Sequence, residues 1–179
     1  HPQHRRQRQM CIRDRPKVAI LSGRGTSSYG VGEVWHLLNH RMHIPASLVD
    51  ANNLTQRKLS HYNTLILADG NYTMLDSADI QSIKDWNKEG GTLITTGSAS
   101  RWAVNKKLTT EKIKKNKQIN LDIAYSRVRN TTGAQRIGGA IFNIRLDNTH
   151  PIGYGYKKTV PIFRRGDTFF ELSKSPSAN

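Results

Sequence analysis

Ser98 is the residue whose type and position most clearly suggest chemistry. It follows Gly97 at the end of an apolar run over 92–96, the place where many α/β enzymes hold a nucleophile on a sharp strand-to-helix turn. The usual pattern is Gly-x-Ser-x-Gly, and here Ser100 stands in the position of the second glycine. The run therefore offers a weak candidate for a catalytic serine.

A serine nucleophile needs a base that is positioned to take its proton. His150 is the candidate for that role, because it precedes Pro151 in a loop that follows a predicted strand. The alternative is structural: His150 belongs to a turn in which the Asp147 side chain bonds the backbone. Nothing in the sequence pairs His150 with Ser98.

A glycine-rich turn is the second candidate site. A predicted strand over 17–22 ends on Gly23 and Gly25, and a helix that starts there would point backbone N–H groups at a polar or anionic ligand. A dinucleotide fingerprint needs a third glycine at the position of Ser28. Asp50 does stand where a ribose-binding acid would. A tight structural turn is favoured, with nucleotide binding as the alternative.

Metal binding is a third possibility. Glu33 and His36 are three residues apart on one predicted helix face, a spacing that can place two ligands on a metal. A third ligand is missing from the pattern, and Trp35 indicates that this helix packs. His40 and His43 add imidazoles without a recognisable geometry. We predict no metal site in this chain.

These candidates depend on strands that alternate with helices. Apolar strands are predicted over 17–22, 46–50, 64–68 and 92–96. Between them, one helix is predicted to open at Ser27-Ser28 and another, capped by Ser77, to cover Ala78–Lys88. This alternation predicts an α/β fold with a doubly wound, mostly parallel, flavodoxin-like sheet. Ligands of such sheets bind outside the carboxyl ends of the strands. The predicted pocket there is lined by Gly23, Arg24, Gly25, Ser27, Asp69, Gly70, Tyr72, Gly97, Ser98 and Arg101.

The later part of the chain has a different character. A helix is predicted over 121–129 and a strand over 138–146. Segments 159–164 and 168–172 flank Arg165-Gly166-Asp167, which predicts a C-terminal β-hairpin extension.

Composition limits the function classes. The net charge is +15, yet residues 18–100 carry six basic and seven acidic side chains. The predicted core therefore has no basic groove, and nucleic-acid binding is disfavoured.

The two ends of the chain differ from its middle. Residues 1–16 are predicted to form a disordered basic tail, and residues 10–15 resemble a translated sequencing-adapter read-through. Residues 17–179 are predicted to form a single domain, truncated at its C-terminus. No apolar run is long enough to span a membrane.

Two long segments carry a family resemblance. Residues 22–38, and residues 137–142 together with 146–156, resemble the C-terminal region of large bacterial zinc-carboxypeptidase-like proteins. In that family a metallopeptidase domain is followed by a class I glutamine-amidotransferase-like domain. The resemblance covers about residues 17–179 and implies that the chain is a fragment of a secreted or periplasmic protein.

The resemblance implies an accessory role. The family's zinc-binding His-x-x-Glu does not occur here, so zinc is expected only in the preceding peptidase domain. An active amidotransferase would carry cysteine at the strand-to-helix turn, where this chain has Gly97 and Ser98. The expectation is a non-catalytic domain that packs on the peptidase domain or helps hold a peptide substrate. The alternatives are a small-molecule hydrolase using Ser98 and His150, and a nucleotide or polyanion binding module.

Overall fold

A computed structural model describes residues 16–54, 59–115, 122–134 and 136–171. These residues belong to two compact units that divide between Thr110 and Glu111. The first unit contains a four-stranded sheet and the second a two-stranded ribbon. The predicted tail lies outside the described residues except for Pro16, and the predicted domain boundaries, 17–179, stay a prediction.

The first unit alternates strands and helices as the sequence predicts. Its elements are β1 (Val18–Ser22), α1 (Ser28–Trp35), a π-helical segment (His36–Arg41), β2 (Ala46–Asp50), two 3₁₀ turns (Ala51–Asn53 and Leu59–His61), β3 (Thr64–Leu67), α2 (Ser77–Lys88), β4 (Thr92–Thr95) and α3 (Ser98–Asn105). All neighbouring strands are parallel, in the order β2-β1-β3-β4. The predicted α/β class with a mostly parallel sheet is confirmed.

The central strands β1 and β3 are buried on both faces of the sheet, and successive strand residues point to opposite sides. Leu21 of β1 packs in a cluster with Ile83 of α2 and Trp102 of α3. Its neighbour Ile20 packs on the other side with Val31 of α1. Burying each such side chain contributes roughly 1.5–3 kcal/mol. The sheet is thus a rigid support for the loops at its ends.

The helix after β3 begins one residue earlier than the sequence pattern predicts. Asp76, rather than Ser77, is its N-cap: the Asp76 carboxylate accepts hydrogen bonds from the N–H groups of Ala78 and Asp79 at 2.8 Å. The Asp79 carboxylate in turn accepts the Asp76 N–H at 3.1 Å. This reciprocal pair satisfies more free N–H groups than a serine at position 77 would, so the earlier start is preferred.

The second unit contains α4 (Tyr125–Gly133), β5 (Ile137–Arg145), a 3₁₀ turn (Pro151–Gly153) and β6 (Thr159–Gly166). The predicted strands over 138–146 and 159–164 are found as β5 and β6 and form the C-terminal hairpin, but the predicted pairing of 159–164 with 168–172 was wrong. β6 continues through Arg165 to Gly166 and pairs antiparallel with β5. Pairing with the nine-residue β5 provides a longer ladder than the predicted partner at 168–172 could, and Gly166 ends the strand at φ +109°.

Helix α4 also differs from its prediction over 121–129. The helix starts at Tyr125, and Ala124 before it is extended, with ψ 135°. Ile123 and Ala124 therefore precede the helix instead of forming its inward face. Leu121 lies outside the described residues.

Candidate functional site

Three loops meet at the carboxyl ends of β1, β3 and β4. We call residues 23–27, 69–72 and 97–98 the three-loop cluster. The Ser27 N–H donates to the Asp69 carbonyl at 2.7 Å, and the Asn71 N–H donates to the Gly25 carbonyl at 2.9 Å. A side chain at Gly70 would come within 2.7 Å of the Gly25 carbonyl oxygen. The approach of the first two loops therefore requires glycine at position 70.

Sheet register brings the third loop to the second. β3 and β4 are parallel neighbours in which Leu67 pairs with Thr95. Asp69 lies two residues beyond Leu67, and Gly97 lies two residues beyond Thr95. The two loops therefore leave the sheet side by side, and Asp69 reaches the first turn of α3.

Asp69 and Ser98 form a compact hydrogen-bond group. Asp69 Oδ1 accepts the Ser98 N–H at 2.8 Å and lies 2.5 Å from the Ser98 hydroxyl oxygen. The same hydroxyl lies 2.7 Å from the Gly70 carbonyl oxygen and accepts the Gly70 N–H at 3.0 Å. A hydroxyl has one hydrogen, so it donates to Asp69 or to Gly70 while accepting from Gly70. The Ser98 hydroxyl thus both donates and accepts within the cluster.

This group also sets the protonation of Asp69. The hydrogen bond from the Ser98 hydroxyl and, after it, the one from the Ser98 N–H lower the pKa of Asp69 below its usual value. Both bonds favour the charged carboxylate. A carboxylate with a lowered pKa is a weak base, so Asp69 is poorly suited to take a proton from Ser98 at neutral pH.

Gly97 occupies the sharp strand-to-helix turn between β4 and α3. Its backbone has φ +57° and ψ −131°, and it is the N-cap of α3. A Cβ at this position would lie 2.7 Å from Asp69 Oδ1 and 2.9 Å from Asp69 Cγ. Such a conformation favours glycine strongly. The turn is therefore closed to any side chain by its backbone angles and by the Asp69 carboxylate.

The remaining members of the predicted pocket have individual roles. Gly23 (φ +109°) and Gly25 (φ +81°) form the turn after β1, and Arg24 between them is exposed. Ser27 is the N-cap of α1, where its hydroxyl accepts the Gly30 N–H at 3.3 Å. Arg101 lies on α3 and is exposed.

Tyr72 is fully buried and its ring packs against Trp102 with centroids 5.5 Å apart. Its hydroxyl donates to the Ala68 carbonyl at 2.7 Å. Burial, with a smaller contribution from Asp69, raises the pKa of Tyr72. The Tyr72 side chain therefore supports the cluster from the core as a neutral phenol.

His150 caps the 3₁₀ turn of the second unit, where its Nδ1 accepts the Ile152 N–H at 3.3 Å. Asp147 accepts the Thr149 hydroxyl at 2.6 Å and the Thr149 N–H at 2.9 Å, and these bonds lower the pKa of Asp147. Both side chains thus have the turn-forming roles considered as the structural alternative. Ser98 and His150 belong to different units, so their pairing stays a prediction.

The other sequence candidates have local contacts. His36 and His40 stack with ring centroids 5.3 Å apart, and Trp35 meets His40 edge-on at 5.0 Å. Among the described residues, no three His, Cys, Asp or Glu side chains are grouped so that they could hold a metal ion. The Asp50 carboxylate accepts the Asn52 N–H at 2.9 Å and so caps the 3₁₀ turn after β2.

Sequence reasoning identified Ser98 and Asp69 as pocket residues but missed the bond between them. A signal was present: each residue follows a buried strand, and adjacent parallel strands end at the same edge of a sheet. The order of the strands, which the sequence does not state, decides that these two loops are neighbours.

The second unit contains a cavity of about 580 Å³ at one end of its ribbon. Its lining residues are Arg145, Leu146, Asp147, Asn148, Thr149 and Lys158.

The comparison with known proteins identified no relative: neither protein-family models nor curated proteins gave a match to this chain. Within the described part of the chain, no helix is long and apolar enough to cross a bilayer.

Proposed function

We propose that this chain is a non-catalytic, amidotransferase-like accessory domain of a zinc-carboxypeptidase-like metallopeptidase. Proteolysis belongs to a peptidase domain that precedes it in the same polypeptide, and zinc is bound there. The accessory domain packs on that peptidase domain or helps hold the peptide substrate. The parent protein is secreted or periplasmic.

The observation that carries this proposal is the conformation of Gly97. In α/β enzymes that use a strand-to-helix turn, the strained turn displays the nucleophile. Here that position has no side chain, and the Asp69 carboxylate lies within 2.7 Å of the place that a Cβ would take. A reactive cysteine or serine at position 97 would have to displace Asp69.

Ser98 does not replace the missing nucleophile. Its hydroxyl is committed to Asp69 and Gly70, and the adjacent carboxylate has a lowered pKa. Among the described residues, no histidine hydrogen-bonds to Ser98. These contacts favour a role in which Ser98 ties two loops together.

A serine-dependent small-molecule hydrolase remains the second candidate. The short contact of 2.5 Å between Ser98 and Asp69 favours it, because a hydroxyl polarised by a carboxylate is a possible starting point for a nucleophile. That candidate also requires His150, or another base, within hydrogen-bond reach of the hydroxyl.

The upstream coding sequence tests the leading proposal. Recovering the DNA that precedes Lys17 should reveal a reading frame with a His-x-x-Glu motif and a later histidine. The longer polypeptide should release C-terminal residues from peptides, and a zinc chelator should abolish that activity. A gene that starts near Lys17, or a longer protein without zinc-dependent peptidase activity, would contradict the proposal.

A further inference from the structure

The second unit leaves its apolar side chains in solvent. Every buried hydrophobic residue in the described part of the chain lies between Val18 and Ala103, within the first unit. Among the described residues of the second unit, only Gly153 is buried. A folded domain normally buries one face of each sheet. The described ribbon of this unit therefore exposes apolar surface that no other described residue buries.

The β5–β6 ribbon carries most of that surface. Ile141 and Phe163 are directly opposite each other across the two strands and are 74% and 69% exposed. The other face carries the cross-strand pair Phe142 and Ile162, and Phe142 is also exposed. An isolated two-stranded ribbon is at best marginally stable in water, so this one is expected to gain stability from a partner.

The loop over 146–158 extends the apolar surface and is held in shape by its own bonds. The Leu146 N–H donates to the Lys158 carbonyl at 2.8 Å, and the Asn148 amide donates to the Tyr156 carbonyl at 2.7 Å. A Cβ at Gly153 would lie 2.3 Å from the Asp147 carbonyl oxygen, so only glycine fits. These contacts fix the shape of a loop that exposes three apolar side chains, Ile152, Tyr154 and Tyr156.

Four cations lie on the same ribbon and loop. Arg145, Lys157, Lys158 and Arg165 make no ion pair with any described residue. Arg145 and Lys158 also line the cavity at the end of the ribbon. In the same region the Asp147 carboxylate is already bonded to Thr149. The surface therefore combines an apolar centre with a basic rim and fits an acidic partner.

We propose that β5, β6 and the loop 146–158 form a docking surface for a folded protein domain whose own apolar patch is edged with carboxylates. This inference rests on the proposed function, and the partner is the domain that precedes Lys17 in the same polypeptide. Residues 137–166 are about as many as the roughly 20–30 that a standard protein interface uses on each side. Aromatic residues and arginine at such a surface are typical of interfaces.

Two other partners fit this surface less well. A single-stranded nucleic acid would use aromatic rings and cations, but Ile141 and Ile152, at 74% and 81% exposed, gain nothing from base stacking. A second copy of this chain would bring the basic rim of one ribbon against the basic rim of another, which is repulsive.

Side-chain footprinting of the longer polypeptide tests the docking surface. Hydroxyl radicals should label Ile141, Tyr154 and Phe163 readily in this chain alone. In the longer polypeptide their labelling rates should fall at least tenfold, because the partner excludes solvent. Tyr125, which is 92% exposed and lies on α4 outside the docking surface, should be labelled equally in both proteins.

Two variants of the longer polypeptide sharpen the test. Phe163→Asp should restore labelling of Ile141 and Tyr154 to within about threefold of the rates in this chain alone, since a buried carboxylate without a partner is costly. Arg165→Glu, which alters only the rim, should raise their labelling at increased salt. Tyr125→Asp is the matched control and should change neither rate.

The outcomes separate the two proposals. Equal labelling of Ile141 and Phe163 in both proteins, or protection that Phe163→Asp and Arg165→Glu leave intact, would overturn the docking surface while leaving peptidase activity to decide the proposed function. Protection by an upstream domain that lacks His-x-x-Glu and zinc-dependent activity would overturn the proposed function and support the docking surface.

Discussion

At the scale of single residues, a catalytic strand-to-helix turn combines a strained backbone and a nucleophilic side chain in one residue. Here these two features belong to two residues, Gly97 and Ser98. Gly97 has the strained backbone, with φ +57° and ψ −131°, but no side chain. Ser98 has the hydroxyl, but that hydroxyl is bonded to Asp69 and Gly70. In the structure the Ser98 hydroxyl therefore connects two loops.

Substituting Gly97 should be costly. Gly97→Ala forces a Cβ against the Asp69 carboxylate and an unfavourable backbone conformation on alanine. We expect the free energy of unfolding to fall by about 1–3 kcal/mol from the backbone alone. Urea denaturation measures it. Gly32→Ala is the matched control: Gly32 lies inside α1 with nothing within 4 Å of a built Cβ, so stability should rise by up to about 1 kcal/mol.

Losing the Ser98 hydroxyl should change how stability depends on pH. The pKa of Asp69 is lowered in the folded state, chiefly by Ser98, so its contribution is present above the unfolded pKa of about 4 and is lost as pH falls through the folded pKa. The difference in unfolding free energy between wild type and Ser98→Ala should therefore shrink below about pH 4.

A serine that does not contact a carboxylate provides the control for this pH series. The Ser82 hydroxyl donates to the Ala78 carbonyl at 2.9 Å, so Ser82→Ala should give a difference that stays constant with pH. A constant difference for Ser98→Ala as well would contradict the assigned role of the Ser98–Asp69 bond.

At the scale of elements, sequence patterns predict the first unit well because its central strands, β1 and β3, are buried. Apolar runs such as 65–68, which is followed by Asp69 and Gly70, place β1 to β4 close to their predicted bounds. The pattern fails in the second unit. There β5 and β6 are largely exposed, so neither alternation nor burial distinguishes the true partner strand from 168–172.

Local side-chain competition explains the shifted start of α2. Asp76 and Ser77 are both good N-caps, and the carboxylate of Asp79 decides between them by bonding back to the Asp76 N–H. The π-helical segment over His36–Arg41 has no comparable signal in the sequence. The bond between Asp69 and Ser98 depends on strand order, which single-sequence patterns do not reveal.

The capping assignment can be tested directly. Asp76→Ala removes the acceptor for two N–H groups and should lower the free energy of unfolding by about 0.5–2 kcal/mol. Lys88→Ala at the other end of α2 removes only an exposed ion pair with Asp85, at 3.3 Å, and should change stability by less than about 1 kcal/mol. Thermal or urea unfolding compares the two, and equal small effects would refute the Asp76 cap.

At the scale of the whole molecule, the two units differ in what they bury. The first unit has a core on both faces of its sheet, and its polar loops are bonded to one another. The described part of the second unit carries exposed apolar residues and unpaired cations. The exposed apolar residues of the second unit are the basis of the docking surface that we propose.

The most direct test of the proposed non-catalytic role is reaction of the chain with a fluorophosphonate probe, followed by peptide mass spectrometry of residue 98. Because the Ser98 hydroxyl is bonded within the cluster, its carboxylate partner Asp69 is a weak base, and no histidine among the described residues hydrogen-bonds to it, we predict no labelling above that of the Ser98→Ala variant. Stoichiometric labelling of Ser98 that Ser98→Ala and His150→Ala both abolish would contradict the accessory role and establish a serine hydrolase instead.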